Sequence, residues 1–276
     1  MGRTMSEETA VIGPTVVRAG FAEAVRAEWT KFRTIRGTVI SALAVIAAGA
    51  MFGLLFGFSS VREYIQATPV ERADFDPALA SMRPFVMGMI ASSVMGVLAV
   101  TSEYASGTIR ASAVAIPSRP RLFAAKAAVV GGVALVVGQI AAFAAFLLPQ
   151  AVLSAHRLPY LALGDPGVLR AIIGGGVCLA LMALFGVAVG FLLRFTSGAA
   201  AITTVVTILP ALADVLLPER LADLVTKYWP SSAGLRVLAI RPDPDLLSPW
   251  PGLALLYCYV VVLLGIALAA FRARDV

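Results

Sequence analysis

Six stretches of about 18 to 25 residues run without a charged side chain near their middles, and nothing else in the chain restricts the fold as strongly. A helix needs about that length to cross a hydrocarbon core of roughly 30 Å. Inside such a core the backbone must satisfy its own hydrogen bonds, which favours helices over open strands. The stretches lie at about 38–58, 84–102, 124–149, 169–193, 198–217 and 251–271. Only 14% of the chain is charged, where a soluble domain carries about a quarter. The expected fold is an all-α membrane protein with six transmembrane helices.

The segments between these stretches differ in charge. Arg18, Arg26, Lys31, Arg33 and Arg36 precede the first. The next loop mixes Arg62, Arg72 and Arg83 with Glu63, Glu71, Asp74 and Asp76. A third segment holds Arg110, Arg119, Arg121 and Lys126 against Glu103 alone. Arg194 sits in a very short turn, and Arg272 and Arg274 stand in the tail. Basic residues thus fall on alternate loops, which predicts both termini in the cytoplasm and the 218–250 segment outside. The net charge of +6 follows from those arginines and calls for no nucleic-acid partner. The first stretch lies too far in and is too long for a cleavable leader, so it reads as a retained signal anchor. The arginine bias and the lack of Asn suggest a GC-rich bacterial genome.

Four regions follow: a flexible tail over 1–16, an amphipathic helix over 17–37, a six-span domain over 38–271 and a cytoplasmic tail over 272–276. In the second, Phe21, Val25, Trp29, Phe32 and Ile35 recur at helical spacing, with Glu23, Arg26, Glu28, Lys31 and Arg33 between them. A basic amphipathic helix of this kind lies in the membrane interface with Trp29 at headgroup level. Before the last span, Leu221–Tyr228 reads as a short helix that Trp229-Pro230-Ser231-Ser232-Ala233-Gly234 breaks. Leu235–Ile240 is apolar again, and the whole reads as a re-entrant or surface hairpin protected by protein.

Between the second and third spans stands a compact polar segment, Ser102-Glu103-Tyr104-Ala105-Ser106-Gly107-Thr108-Ile109-Arg110, with helical continuation through Ala115 and a breaker at Pro117-Ser118-Arg119-Pro120. It has the makeup of a short surface helix that a soluble partner can grip. The chain carries no Gly-x-x-x-x-Gly-Lys-Ser/Thr loop, no His-Glu-x-x-His and no Gly-x-Ser-x-Gly, so it has a grip and no motor. Gly174-Gly175-Gly176 lies within a span and is a packing or flexibility feature.

Lys126, Arg170 and Arg194 lie near enough to span ends to snorkel, and Asp214 lies near the outer end of the fifth. Ion-coupled carriers keep ionisable groups at mid-membrane, so that class is disfavoured. Gln139 is the one strongly polar mid-span side chain, serving either a helix–helix hydrogen bond or a substrate pathway. Gly49, Gly53 and Gly57, Gly88, Ser92 and Gly96, and Gly186 and Gly190 repeat at helix-face spacing, for packing within the chain or at a subunit interface. Pro210 is expected to kink the fifth span and free a carbonyl where a path opens. Cys178 and Cys258 read as buried small hydrophobes, and His156 as a lone polar surface residue.

Glu103-Tyr104-Ala105-Ser106-Gly107-Thr108 resembles the Glu-Tyr-x-x-Gly-Thr segment of ABC-2 type transporter permeases. Glu28-Trp29-Thr30-Lys31-Phe32-Arg33-Thr34 is similar to the N-terminal interfacial helix of that family, with its Glu-x-x-Lys. Pro230-Ser231-Ser232-Ala233-Gly234 is similar to its outer loop, with Ser232 where Asn is common. Arg272-Ala273-Arg274-Asp275-Val276 looks like its tail, with Ala273 where a second Arg often sits. The resemblance spans residues 21–276 and implies a type V ABC exporter fold in a bacterial cytoplasmic membrane. Two six-span permeases, expected as a homodimer, would each hold a separate cytoplasmic ATPase. ATP and Mg would bind to that ATPase, and this chain would itself hold no cofactor, bind no metal and catalyse nothing.

By the same resemblance, Glu103, Tyr104, Ser106, Gly107, Thr108 and Arg110 belong to a coupling helix seated on the ATPase. Glu28, Trp29, Lys31, Phe32 and Arg33 belong to a connecting helix that also touches it. Gly107 would permit a tight bend, Tyr104 would pack at the membrane–ATPase junction, and Glu103 would cap the helix or hold Arg110 or a partner cation. The uncharged midplane favours a hydrophobic or amphipathic cargo. A non-transporting six-span scaffold or assembly factor is the alternative, and an integral membrane enzyme a third.

Overall fold

A computed structural model describes residues 20–116, 118–241 and 243–274, with the side chains of 113 and 214 excepted. The expected tail over 1–16, the start of the amphipathic helix at 17–19, Pro117, Asp275 and Val276 therefore lie outside the described residues, as does the side chain of Asp214. Among the described residues there are eleven helices and no strand. These are α1 (Phe21–Thr34), α2 (Arg36–Gln66), α3 (Pro69–Ala73), α4 (Pro77–Ala105), α5 (Thr108–Ala115), α6 (Arg119–Ala155), α7 (Val168–Leu193), α8 (Thr196–Leu216), α9 (Glu219–Tyr228), α10 (Pro230–Leu235) and α11 (Pro249–Ala273). A single 3₁₀ turn, Arg236–Leu238, follows α10.

Six of these, α2, α4, α6, α7, α8 and α11, are long and apolar enough to cross a bilayer, and the protein is a multi-pass membrane protein. Several run past the apolar stretches that seed them. The 37 residues of α6 rise about 55 Å, well beyond a core of about 30 Å. A helix ends where backbone geometry or a cap stops it, and a charge at the membrane surface does neither. Breaks are correspondingly short: only Ile35, with extended backbone, separates α1 from α2.

The bundle is built around α7, whose apolar window is 78% buried, with α4 next at 61%. These two helices nearly touch. A Cβ added at Gly96 would stand 1.9 Å from the Ala183 carbonyl oxygen, and one added at Gly186 would stand 1.9 Å from that of Ser93. Small residues of this kind let backbones approach in a membrane, where apolar lipid gives helices little reason to associate. Gly49, Gly53 and Gly57 likewise face α6 at Ala141, Ala144 and Pro149, and Gly190 faces Val97 and Val100. Each of these glycines faces a neighbouring helix of its own chain, the close internal packing that small residues permit.

The triple glycine of α7 is also a packing feature. Gly174 receives Val237, Gly175 receives Phe85 and Leu238, and Gly176 receives the Gln139 side chain. The Gln139 amide donates to the Ile172 carbonyl oxygen at 3.2 Å, which makes it a helix–helix hydrogen bond between α6 and α7.

The segment before the last span differs from expectation in one respect. The break after α9 is Trp229 alone, and Pro230–Leu235 is itself helical, because proline at a first helical position costs no hydrogen bond. Pro230, Ser231, Ala233, Gly234, Val237 and Leu238 are buried. Gly234 lies against Leu256 and Cys178, so the hairpin dips between α7 and α11. Cys178 is buried, whereas Cys258 lies on the exposed outer face of α11 and corrects the expectation that both are core residues.

Candidate functional site

The end of the bundle that carries α1 and α5 holds a closed ring of four charges. Glu28 and Lys31, one turn apart on α1, face inward, as do Glu103 in the last turn of α4 and Lys126 in the second turn of α6. Lys126 Nζ lies 2.5 Å from Glu28 Oε2 and 2.8 Å from Glu103 Oε1. Lys31 Nζ lies 2.5 Å from Glu28 Oε1 and 3.1 Å from Glu103 Oε1. Each ammonium therefore touches both carboxylates, and the charges alternate and cancel.

Glu28, Glu103 and Lys126 are 2–3% exposed, so these charges have left water almost completely. Isolated burial of such ions costs several kcal/mol each, and only mutual pairing with good geometry offsets it. Lys31 is the one member that reaches the surface. Burial draws its ammonium down, but the bonds and charges of Glu28 and Glu103 outweigh burial, and its pKa stands above the ordinary lysine value.

Lys31 also ties the ring to α5 by donating to Ser112 Oγ at 2.8 Å. The short helix turns Ile109, Ser112 and Ile116 inward and leaves Arg110, Ala111, Val114 and Ala115 outside. Val114 is 81% exposed. Gly107 opens the helix with a left-handed backbone, φ +71°, and nothing lies within 4 Å of where its Cβ would be. The glycine there serves the turn and not a close approach. Ser106 and Thr108 hydroxyls bond across that turn at 2.9 Å. Two arginines close the same end of the bundle. Arg119 donates to the carbonyls of Phe271, Arg272 and Arg274, and Arg274 donates to that of Leu192. The last turns of α11 and α7 thus receive cationic caps.

Two expectations change here. The family resemblance puts Glu103 on the gripping surface, as a cap or as a partner of Arg110 or an external cation. It is instead buried at the end of α4 and engaged with Lys31 and Lys126, because the helix of the second span continues through Ala105 and carries it inside. Lys126 was expected to snorkel, yet it turns into the bundle because two carboxylates wait there. Of the other cations assigned to span ends, Arg170 donates to the Ala239 carbonyl oxygen at 2.7 Å. The Arg194 guanidinium lies over the Tyr104 ring, 5.4 Å from its centre. Tyr104 is half-buried against the hydrophobic core, and Ser106, Thr108 and Arg110 are exposed.

On α1, Trp29 and Arg33 are exposed while Phe32 is buried against the ring. Pro210 lies inside α8. The carbonyl it frees, that of Val206, accepts bonds from Trp229 Nε1 at 2.7 Å and Ser231 Oγ at 3.1 Å.

Sequence reasoning missed Lys126 and Ser112 as partners of the Glu28-x-x-Lys31 pair. A lysine two turns into an apolar helix was the available signal. It also missed Gln150 at the opposite end, 3% exposed, whose amide donates to the Pro77 carbonyl and Ser81 Oγ and accepts from the Leu161 amide, each at 2.8 Å. Among the described residues no group of three His, Cys, Asp or Glu side chains is placed to hold a metal ion. No family model matches this chain, and no curated protein matches it.

Proposed function

We propose that this protein is the membrane-spanning permease subunit of an ATP-driven exporter of the ABC-2 type. It works as a homodimer in a bacterial cytoplasmic membrane, with both termini on the cytoplasmic side. A separate ATPase binds ATP and Mg, and the cargo is hydrophobic or amphipathic. The observation that carries this reading is the linkage of α5 to three other helices. A short helix with an exposed apolar side chain, Val114, beside an exposed cation, Arg110, offers a soluble partner a surface. Its inner face is tied through Ser112 and Lys31 to a ring shared by α1, α4 and α6. Motion imposed on α5 therefore reaches two spans and the interfacial helix together.

On this reading ATP binding closes the paired ATPases and displaces α5 and α1. The ring then transmits the displacement to α4 and α6. The shift requires that the ring or the ATPase contact differ in free energy between inward- and outward-facing states. Glu28, Lys31 and Glu103, which stand in the segments that resemble the family, belong to this linkage together with Lys126 and Ser112.

The test is co-expression with a soluble protein that carries Gly-x-x-x-x-Gly-Lys-Ser/Thr and is encoded beside this chain. Co-purification in equal amount, with nucleotide hydrolysis altered by Arg110→Glu, supports the reading. A chain that retains no such ATPase and shows no response to nucleotide is instead a membrane scaffold.

A further inference from the structure

Between α1, α2 and α6 runs an apolar groove of about 370 Å³, walled by Phe32, Leu43, Ile46 and Val137, with Trp29 and Arg33 beside them. That volume falls within the range of about 300–1,000 Å³ typical of small-ligand clefts. Leu43 is 61% exposed and Trp29 45%, so the groove opens outward along a membrane-spanning helix. The helices that border it carry Arg26, Arg33 and Arg36, all exposed, and no ion pair among the described residues uses any of the three. Of the neighbouring carboxylates, Glu28 is engaged by Lys31 and Lys126, and Glu23, which accepts from the Gly20 amide, pairs with none of the three. An apolar slot along a span thus meets three arginines outside any ion pair at the interfacial helix.

We propose that this groove binds one anionic phospholipid. An acyl chain lies in the slot against Leu43, Ile46 and Val137. Trp29 packs where chain meets headgroup, the position amphipathic aromatic rings prefer. The phosphate meets Arg33, and Arg26 and Arg36 add attraction for a net negative headgroup. A zwitterionic lipid offers the same chains without that charge. Phe32 walls both this groove and the small space around the charge ring, so a chain in the groove covers the α1 side of the ring. The inference needs only the membrane-spanning fold and stands apart from the transport reading.

The test uses the full chain purified in neutral detergent. Dioleoyl phosphatidylglycerol or dioleoyl phosphatidylcholine is titrated in, and bound lipids are counted by native mass spectrometry. One phosphatidylglycerol is expected to bind in preference to phosphatidylcholine. Arg33→Gln should weaken it about fivefold, and adding Arg36→Gln should weaken it further. Leu43→Trp fills the slot and should weaken both lipids. Arg33, Arg36 and Leu43 are exposed, and unchanged circular dichroism checks that the variants remain folded. Equal retention of the two lipids by the unmodified chain would overturn the proposal. So would phosphatidylglycerol retention unaffected by both the double arginine variant and Leu43→Trp.

Discussion

Trp229 Nε1 donates to the Val206 carbonyl oxygen at 2.7 Å, and Val206 stands four residues before Pro210. A proline lacks the N–H that would serve that carbonyl within the helix. In lipid an unpaired carbonyl is costly, so a partner must come from elsewhere. Trp229 and Ser231 supply it, and the hairpin of α9 and α10 is thereby fastened to α8. Trp229→Phe should leave Ser231 as the only donor and cost about 1 kcal/mol. The double variant with Ser231→Ala should cost about 1–3 kcal/mol. Thermal unfolding in detergent measures both, and a double variant as stable as the unmodified chain would show that water or lipid serves the carbonyl instead.

The charge ring predicts strong non-additivity. Glu103→Gln or Lys126→Met leaves an uncompensated buried charge and should destabilise by about 3–5 kcal/mol. Combining them removes one charge of each sign, so the double variant should be less destabilised than the sum of the two. A double-mutant cycle on unfolding free energies reads this coupling. Simple additivity would mean that the two side chains do not meet in the folded protein.

Lys31 sets a limit at alkaline pH. Its folded pKa is raised above the ordinary 10.5 by Glu28 and Glu103, against the opposing effect of burial. A raised lysine contributes stability that is fully present below its unfolded value and lost as pH rises through the folded one. The docking of α1, followed by protease protection of its backbone, should therefore weaken only above about pH 10.5. Lys31→Met should loosen α1 at neutral pH and remove that part of the alkaline transition. Identical alkaline profiles for the two proteins would contradict the assignment.

Gly96 and Gly186 leave no room for a methyl group. Alanine at either would press on a backbone carbonyl of the facing helix, and overpacking of this kind costs about 1–3 kcal/mol or more. Gly107→Ala differs in cause: nothing crowds it, but its φ of +71° is strained for alanine, about 1 kcal/mol or more. Unfolding midpoints should fall in all three. Protein yield should fall most for Gly96→Ala and Gly186→Ala, since these pack the most buried helix.

The outer face of α5 is expected to matter for partner binding and little for folding. If the proposed ATPase partner binds there, Arg110→Glu and Val114→Glu should abolish its retention while leaving the unfolding midpoint within the small range of surface changes. Loss of both together would place α5 in the core instead. Retention unchanged in both variants would remove α5 from the interface.

The six helices and the amphipathic lead were legible because hydrophobic run length and helical periodicity are local properties. The bend at Gly107 came from the family resemblance, and the expected surface helix over Ser102–Arg110 is divided: Ser102–Ala105 belong to α4 and α5 starts at Thr108. The role of Glu103 was not legible. Its place in the sequence, next to the turn, suggested the surface. Its place in the bundle follows from how far α4 continues and which way its last turn faces.

Sequence alone determined that the chain crosses a membrane as helices, because apolar runs of that length have no other way to satisfy their backbone in lipid. It also determined where small residues recur on helix faces. Only the tertiary structure decided which faces meet. Glu28 and Lys126 are 98 residues apart, Lys31 and Glu103 72, and Glu103 and Lys126 23. Each of the four charges resembles a surface residue in its own segment. Buried ions are tolerated only when opposite charges arrive together, and that meeting depends on the rotation and depth of three separate helices, which no local pattern encodes.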